Sequence, residues 1–167
     1  MSTRTGTSWA FWRHFPGGFR PVSIGFGLYC AGIVKRLACE GAHVALTYVS
    51  KPDQANETVK AAQAFGVQAL AIQAASADAK AVRAAVERTV AEFGGLDILV
   101  NNAGIGVMAP LDDYRLEDFD RTVAVNVRAV FVATQAAVKH MHAGGRIIPL
   151  AVAMPSGCPL WVALCMP

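Results

Sequence analysis

Leu96-Asp97-Ile98-Leu99-Val100-Asn101-Asn102-Ala103-Gly104 is the stretch from which the rest of the chain can be read. Leu96 to Val100 is apolar almost without interruption, the pattern of a strand covered on both faces. It runs straight into two asparagines, whose side chains are placed to tie the strand end to its neighbours. Ala103 and Gly104 then leave room for a flat group against the backbone. An ordinary strand-to-turn exit, with Asn and Gly supplying the turn geometry, would use the same residue types.

Outward from this strand, helix and strand periods alternate. Upstream, Ala31 to Glu40 places Ile33, Val34 and Leu37 on one helical face, with Gly41 as C-cap. His43 to Tyr48 is a short run of strand formers, and Pro52-Asp53 opens a helix that runs through Phe65 to Gly66. Val67 to Ala74 reads as a strand and Asp78 to Phe93 as a helix stopped by Gly94-Gly95. Downstream, one long helix is expected from Leu116 to Met141, and Arg146 to Leu150 begins a further strand. The expected fold is therefore α/β, a three-layer sandwich around a doubly wound parallel sheet. Ligands in such sheets bind at the carboxyl ends of the strands, which directs the search to the loops after Tyr48, Ala74, Val100 and Leu150.

Composition agrees with one buried globular domain over residues 1–167. Hydrophobic residues make up 54% of the chain and charged residues 16%, which argues against disorder. A net charge of +3 without a Lys/Arg cluster gives no support to nucleic-acid binding. Cys30, Cys39, Cys158 and Cys165 form no C-x-x-C pair, so neither a metal site nor a disulfide framework is expected, and reduced thiols fit a cytoplasmic protein. No acidic residue precedes Glu40, while Arg4, Arg13 and Arg20 sit among Ser, Thr and aromatics. That composition is transit-peptide-like but lacks an amphipathic or signal-type run. The uncharged tail from Ile147 to Pro167 is broken by Pro149, Pro155 and Pro159, so no membrane span is expected.

The Asn-Asn-Ala-Gly exit from a buried strand resembles the NNAG motif of the short-chain dehydrogenase/reductase family. Arg121-Thr-Val-Ala-Val-Asn126-Val-Arg-Ala-Val-Phe131 is similar to that family's central helix, and the acidic turn at Asp112-Asp113 lies between the two. The resemblance covers residues 31–148, and it implies a Rossmann-type NAD(P)-binding oxidoreductase acting on a carbonyl/alcohol pair, nearest to 3-oxoacyl-type reductases. It makes Asn126 catalytic, as the residue that interrupts helical bonding and holds a water in the proton relay. It sets Asn101, Ala103 and Gly104 along the nicotinamide-ribose side, and Gly25 and Gly27 against the phosphates. Tyr48 stands where NAD-preferring members carry an acid. With Ser50 and Lys51 nearby, the cofactor expected is NADP(H) rather than NAD(H), and assembly into a homo-oligomer is left open.

Elsewhere the chain departs from the family. The T-G-x-x-x-G-I-G phosphate loop falls on Ser23 to Cys30, where Ile24, Leu28 and Cys30 take glycine places and Gly25-Phe26-Gly27 is a partial G-x-G. Side chains at Leu28 and Cys30 would crowd a diphosphate, and Gly17 to Val22 is a poor first strand because it carries Arg20 and Pro21. Ala75-Ser76 replaces the acid that meets the adenine amino group. The Ser and Tyr positions of the family fall on Val152 and Cys165, and its Lys would lie beyond Pro167. No other tyrosine repairs the Tyr-x-x-x-Lys pattern, since Tyr29, Tyr48 and Tyr114 are followed four residues on by Ile33, Pro52 and Asp118. His140 and His142 read as partners of a helix dipole.

General acid–base catalysis is worth about 10²–10⁴-fold, so impaired turnover is expected. The alternative is an inactive fragment that binds nucleotide weakly or acts through protein contacts. The expected sheet stops after its fifth strand, leaving one edge and the family's dimerising helix pair exposed. Trp9, Trp12, Trp161 and six of the eight prolines lie outside 31–148, as a change of reading frame at both ends would produce. Translation of the coding sequence in the other two frames tests that expectation.

Overall fold

The structure, a computed structural model, describes residues 21–24 and 28–150, with side chains from Cys30 onward. Five parallel strands form one sheet: β1 (Pro21–Ile24), β2 (Val44–Tyr48), β3 (Ala69–Gln73), β4 (Ile98–Asn101) and β5 (Arg146–Pro149). Their order is β3-β2-β1-β4-β5, so the chain winds outward from β1 in both directions. This is the doubly wound α/β sheet that the alternation of periods predicts, with its switch point between β1 and β4.

The helices are α1 (Leu28–Cys39), α2 (Pro52–Gln63), α3 (Ala79–Phe93), α4 (Leu116–Val123) and α5 (Ala129–Ala137). Strand alternation decides which of them each face receives. Val44 and Leu46 of β2 point to one side, where Cys30, Val34 and Ala38 of α1 meet Ala55 and Ala62 of α2. Ala45 points to the other, against a cluster built from Ile72, Val82, Val86, Leu99, Val132 and Ala136. Leu46, Leu96, Ile98 and Leu99 are fully buried, each worth about 1.5–3 kcal/mol relative to exposure. Local signals close the helices. Asp78 accepts hydrogen bonds from the Lys80 and Ala81 amides at the start of α3, and Gly94 ends it with φ of 75°.

Three expectations are corrected. The strand thought poor over Gly17 to Val22 exists two to four residues later, as β1, hydrogen-bonded on both sides. Pro21 is its first residue, a place where a missing N–H is tolerated. The helix expected from Ala31 starts at Leu28, so Ser23-Ile24 and Leu28 to Cys30 belong to regular elements rather than to a loop. The single long helix from Leu116 is broken by a π-turn over Ala124–Arg128, with the Ala129 amide bonding five residues back to Ala124. β5 forms one edge of the sheet and is exposed along its length, and Phe131 on α5 is also exposed.

Candidate active site

The carboxyl ends of β2, β3 and β4 open onto a cleft of about 670 Å³. After β2 the chain supplies Tyr48, Ser50 and Lys51, and Gln54 adds the first turn of α2. After β3 come Ala74 to Ala77, and after β4 come Ala103, Gly104 and Ile105. Arg121 and Val125, four residues apart, present one face of the helical segment as the remaining wall. Among the described residues no carboxylate lines the cleft, while Lys51 and Arg121 do.

Of the residues selected from the sequence, the cleft gathers Tyr48, Ser50, Ala103 and Gly104. Asn101 and Asn126 do not line it, and Gly25 and Gly27 lie outside the described residues, as do Val152 and Cys165. Arg121 was not selected for the site. Its place four residues before Val125, on a helix leading to Asn126, was the available signal.

Asn126 sits inside the π-turn, and its side chain closes a two-bond clamp on one residue of the loop after β4, Ile105. Oδ1 accepts from the Ile105 amide at 2.9 Å, and Nδ2 donates to the Ile105 carbonyl at 2.8 Å. The clamp fixes the backbone immediately after Gly104, and π-turns concentrate at functional positions because they re-aim one side chain without ending the helix. The side-chain amide is thus engaged with backbone, with one N–H and one oxygen lone pair still open.

Asn101 contradicts the expectation that it ties the strand end to its neighbours. Its backbone carbonyl accepts from the Leu150 amide, extending the sheet to β5. Its side chain is buried with neither Oδ1 nor Nδ2 bonded. An unpartnered buried amide costs about 1–3 kcal/mol. Cys30 is fully buried and belongs to the α1–α2 core. His140 meets Glu87 of α3 at 3.1 Å, three residues beyond the end of α5.

The fit to a dinucleotide can be tested at Gly104. A Cβ there would meet only Asn126 Oδ1, at 3.8 Å, an ordinary contact. The fold therefore does not require glycine at this position, and what the missing side chain keeps clear is the cleft. The open backbone at Ala103-Gly104, the hydroxyls of Ser50 and Ser76 and the acid-free lining suit a flat, anionic ligand. Among the described residues no His/Cys/Asp/Glu group of three or more is placed to hold a metal, and no helix is long and apolar enough to cross a membrane.

A doubly wound parallel sheet with its cleft at the strand carboxyl ends is the architecture of Rossmann-type nucleotide-binding domains. The family model for short chain dehydrogenases matches residues 23–155, and the chain belongs to that family. It is 43% identical over 118 residues to an uncharacterized oxidoreductase of Methylorubrum extorquens, covering 71% of this chain and 48% of that one. It is 40% identical over 118 residues to a hydroxynaphthalene reductase of Aspergillus fumigatus, covering 71% of this chain and 43% of the reductase. A short chain dehydrogenase of Burkholderia cenocepacia, solved in complex with NADP, superposes with a TM-score of 0.76 at 52% identity, over 79% of this chain and 54% of that one. The chain thus spans less than half the length of these curated relatives.

Proposed function

We propose that this chain is an NAD(P)-dependent oxidoreductase fold acting on a carbonyl/alcohol pair, with a cleft that favours NADP(H) over NAD(H). The observation that carries the reading is the acid-free cleft at the ends of β2, β3 and β4, with Ser50 and Lys51 directly after the second strand. A carboxylate after β2 would repel a 2′-phosphate, and Tyr48 takes that place here. The relative solved with NADP supports the same choice. A bound nicotinamide supplies the hydride donor or acceptor. The protein's share is to position it: Ala103 and Gly104 leave its approach open, and Asn126 holds the following peptide still through Ile105.

A second reading, nucleotide binding without turnover, is favoured by the sequence beyond β5, where Val152 and Cys165 take the Ser and Tyr places. Valine has no proton to pass, and a lone thiol without the family's paired lysine departs from its phenol–ammonium arrangement. Oxidation of NADPH by the full chain over a panel of ketones, with NADPH and NADH titrated by fluorescence, separates the readings. Saturable NADPH binding with turnover supports the oxidoreductase reading. Binding without turnover supports the second, and no saturable binding of either nucleotide overturns both.

A further inference from the structure

We propose that Gln73 is a positioning residue for the cleft, holding the loop after β2 in its ligand-binding geometry through the carbonyl of Val49. The role rests on the nucleotide reading above, because a ligand in the cleft is what gives that geometry a purpose. Tyr48 and Gln73 form the last pair of the β2–β3 ladder, and the Ala74 amide donates to the Tyr48 carbonyl at 2.8 Å. One residue further on, the Gln73 side chain takes over from the backbone, with Nε2 donating to the Val49 carbonyl at 3.1 Å. Gln73 itself is exposed, does not line the cleft and belongs to neither core cluster.

A peptide is planar, so fixing the Val49 oxygen also fixes the direction of the Ser50 N–H across the same bond. Packing does not hold this peptide, because the Val49 side chain is 56% exposed. At the far end of the loop, Pro52 opens α2 with its own φ locked at about −65°. Lys51, the N-cap, lies at φ −123° and makes no side-chain cap bond. Ser50 and Lys51, which both line the cleft, therefore stand between two fixed points, and Gln73 supplies the one on the sheet side. Releasing Val49 frees the soft dihedrals of both residues together.

Calorimetric titration of NADP⁺ into the full chain reads binding, and NMR order parameters at the Ser50 and Lys51 amides read the loop. Gln73→Met, close in size but without a donor, is expected to weaken NADP⁺ about threefold and to lower both order parameters, with the urea midpoint unchanged. Gln73→Glu keeps the shape but sets a carboxylate against the Val49 carbonyl, so at neutral pH it should bind no better than Gln73→Met. Near the ordinary glutamate value of about 4.3, a protonated carboxyl regains a donor for that carbonyl. Measured against wild type at each pH, the Gln73→Glu deficit should therefore shrink on acidification, while that of Gln73→Met stays constant. Unchanged NADP⁺ affinity in Gln73→Met would overturn the assignment, whether or not the loop loosens. So would a Gln73→Glu deficit that does not respond to pH. A wild-type chain that binds no NADP⁺ removes the nucleotide reading itself, and the order parameters of Gln73→Met then still decide whether this side chain holds the loop.

Discussion

Replacing Asn126 by alanine removes both bonds to Ile105 at once, leaving its N–H and C=O without protein partners. Each bond is worth about 0.5–1.5 kcal/mol net, so the pair should cost roughly 2 kcal/mol, a partly buried setting keeping the value near the middle. With a urea m-value of about 1–3 kcal/mol/M, the unfolding midpoint followed by far-UV circular dichroism should fall by roughly 1 M. Hydrogen exchange at the Ile105 amide should accelerate together with its neighbours in the loop after β4. An unchanged midpoint with an unchanged Ile105 exchange rate would refute the clamp.

Asn126→Asp refines the test, because it keeps the acceptor facing the Ile105 amide and replaces the donor facing the Ile105 carbonyl. At neutral pH a carboxylate oxygen then faces a carbonyl oxygen, and the variant should be no more stable than Asn126→Ala. A carbonyl partner favours the protonated carboxyl in the folded chain, raising its folded pKa above the unfolded value of about 4. The folded state then binds more protons, so stability falls as pH rises through the folded pKa and is recovered below the unfolded one. Taken as the difference from wild type at each pH, the deficit should shrink on acidification. A deficit that grows instead would mean the new carboxyl is held ionised by another partner.

Two further changes probe positions where packing and chemistry pull in different directions. Asp78→Ala, which frees the Lys80 and Ala81 amides at the start of α3, should cost about 1 kcal/mol in denaturant unfolding, and a loss below about 0.3 kcal/mol would mean that water replaces the cap fully. Asn101→Leu should leave stability unchanged or raised, because an unpartnered buried amide gives way to an apolar group of similar size; a loss above about 1 kcal/mol would show that the amide is bonded after all.

How far the sequence could be read depended on whether a residue's role was local. Leu96 to Val100 announces a doubly covered strand because burial on both faces leaves no polar alternation, although hydrogen bonding shifts β4 itself to Ile98–Asn101. The helical period from Leu116 onward is equally plain, but the π-turn is not, since one inserted residue barely disturbs the apolar spacing. Asn126 was its single sign, a weak helix former inside an apolar run. β1 was discounted on Pro21 because a proline counts against a strand interior, and nothing local says that the strand begins there. The direction of the Cys30 side chain depends on where α2 packs, and Arg121 joins the cleft only once α4 is brought to the strand ends, so both are properties of tertiary structure.

The arrangement also explains why fold and chemistry separate in this chain. The two core clusters draw on β2, β3, α1, α2, α3 and α5, together with Leu96 and Leu99, and among the described residues none of their buried members lies beyond Ala137. Cys30 stands where the family places glycine, yet its sulfur adds to the core, so the position that departs from the phosphate-loop pattern contributes to stability. Asn101 shows the converse: an unsatisfied amide at the carboxyl end of β4 costs stability, and no partner among the described residues offsets that cost. The fold is held by the strands' interior, and the groups available for chemistry are those left at their carboxyl ends.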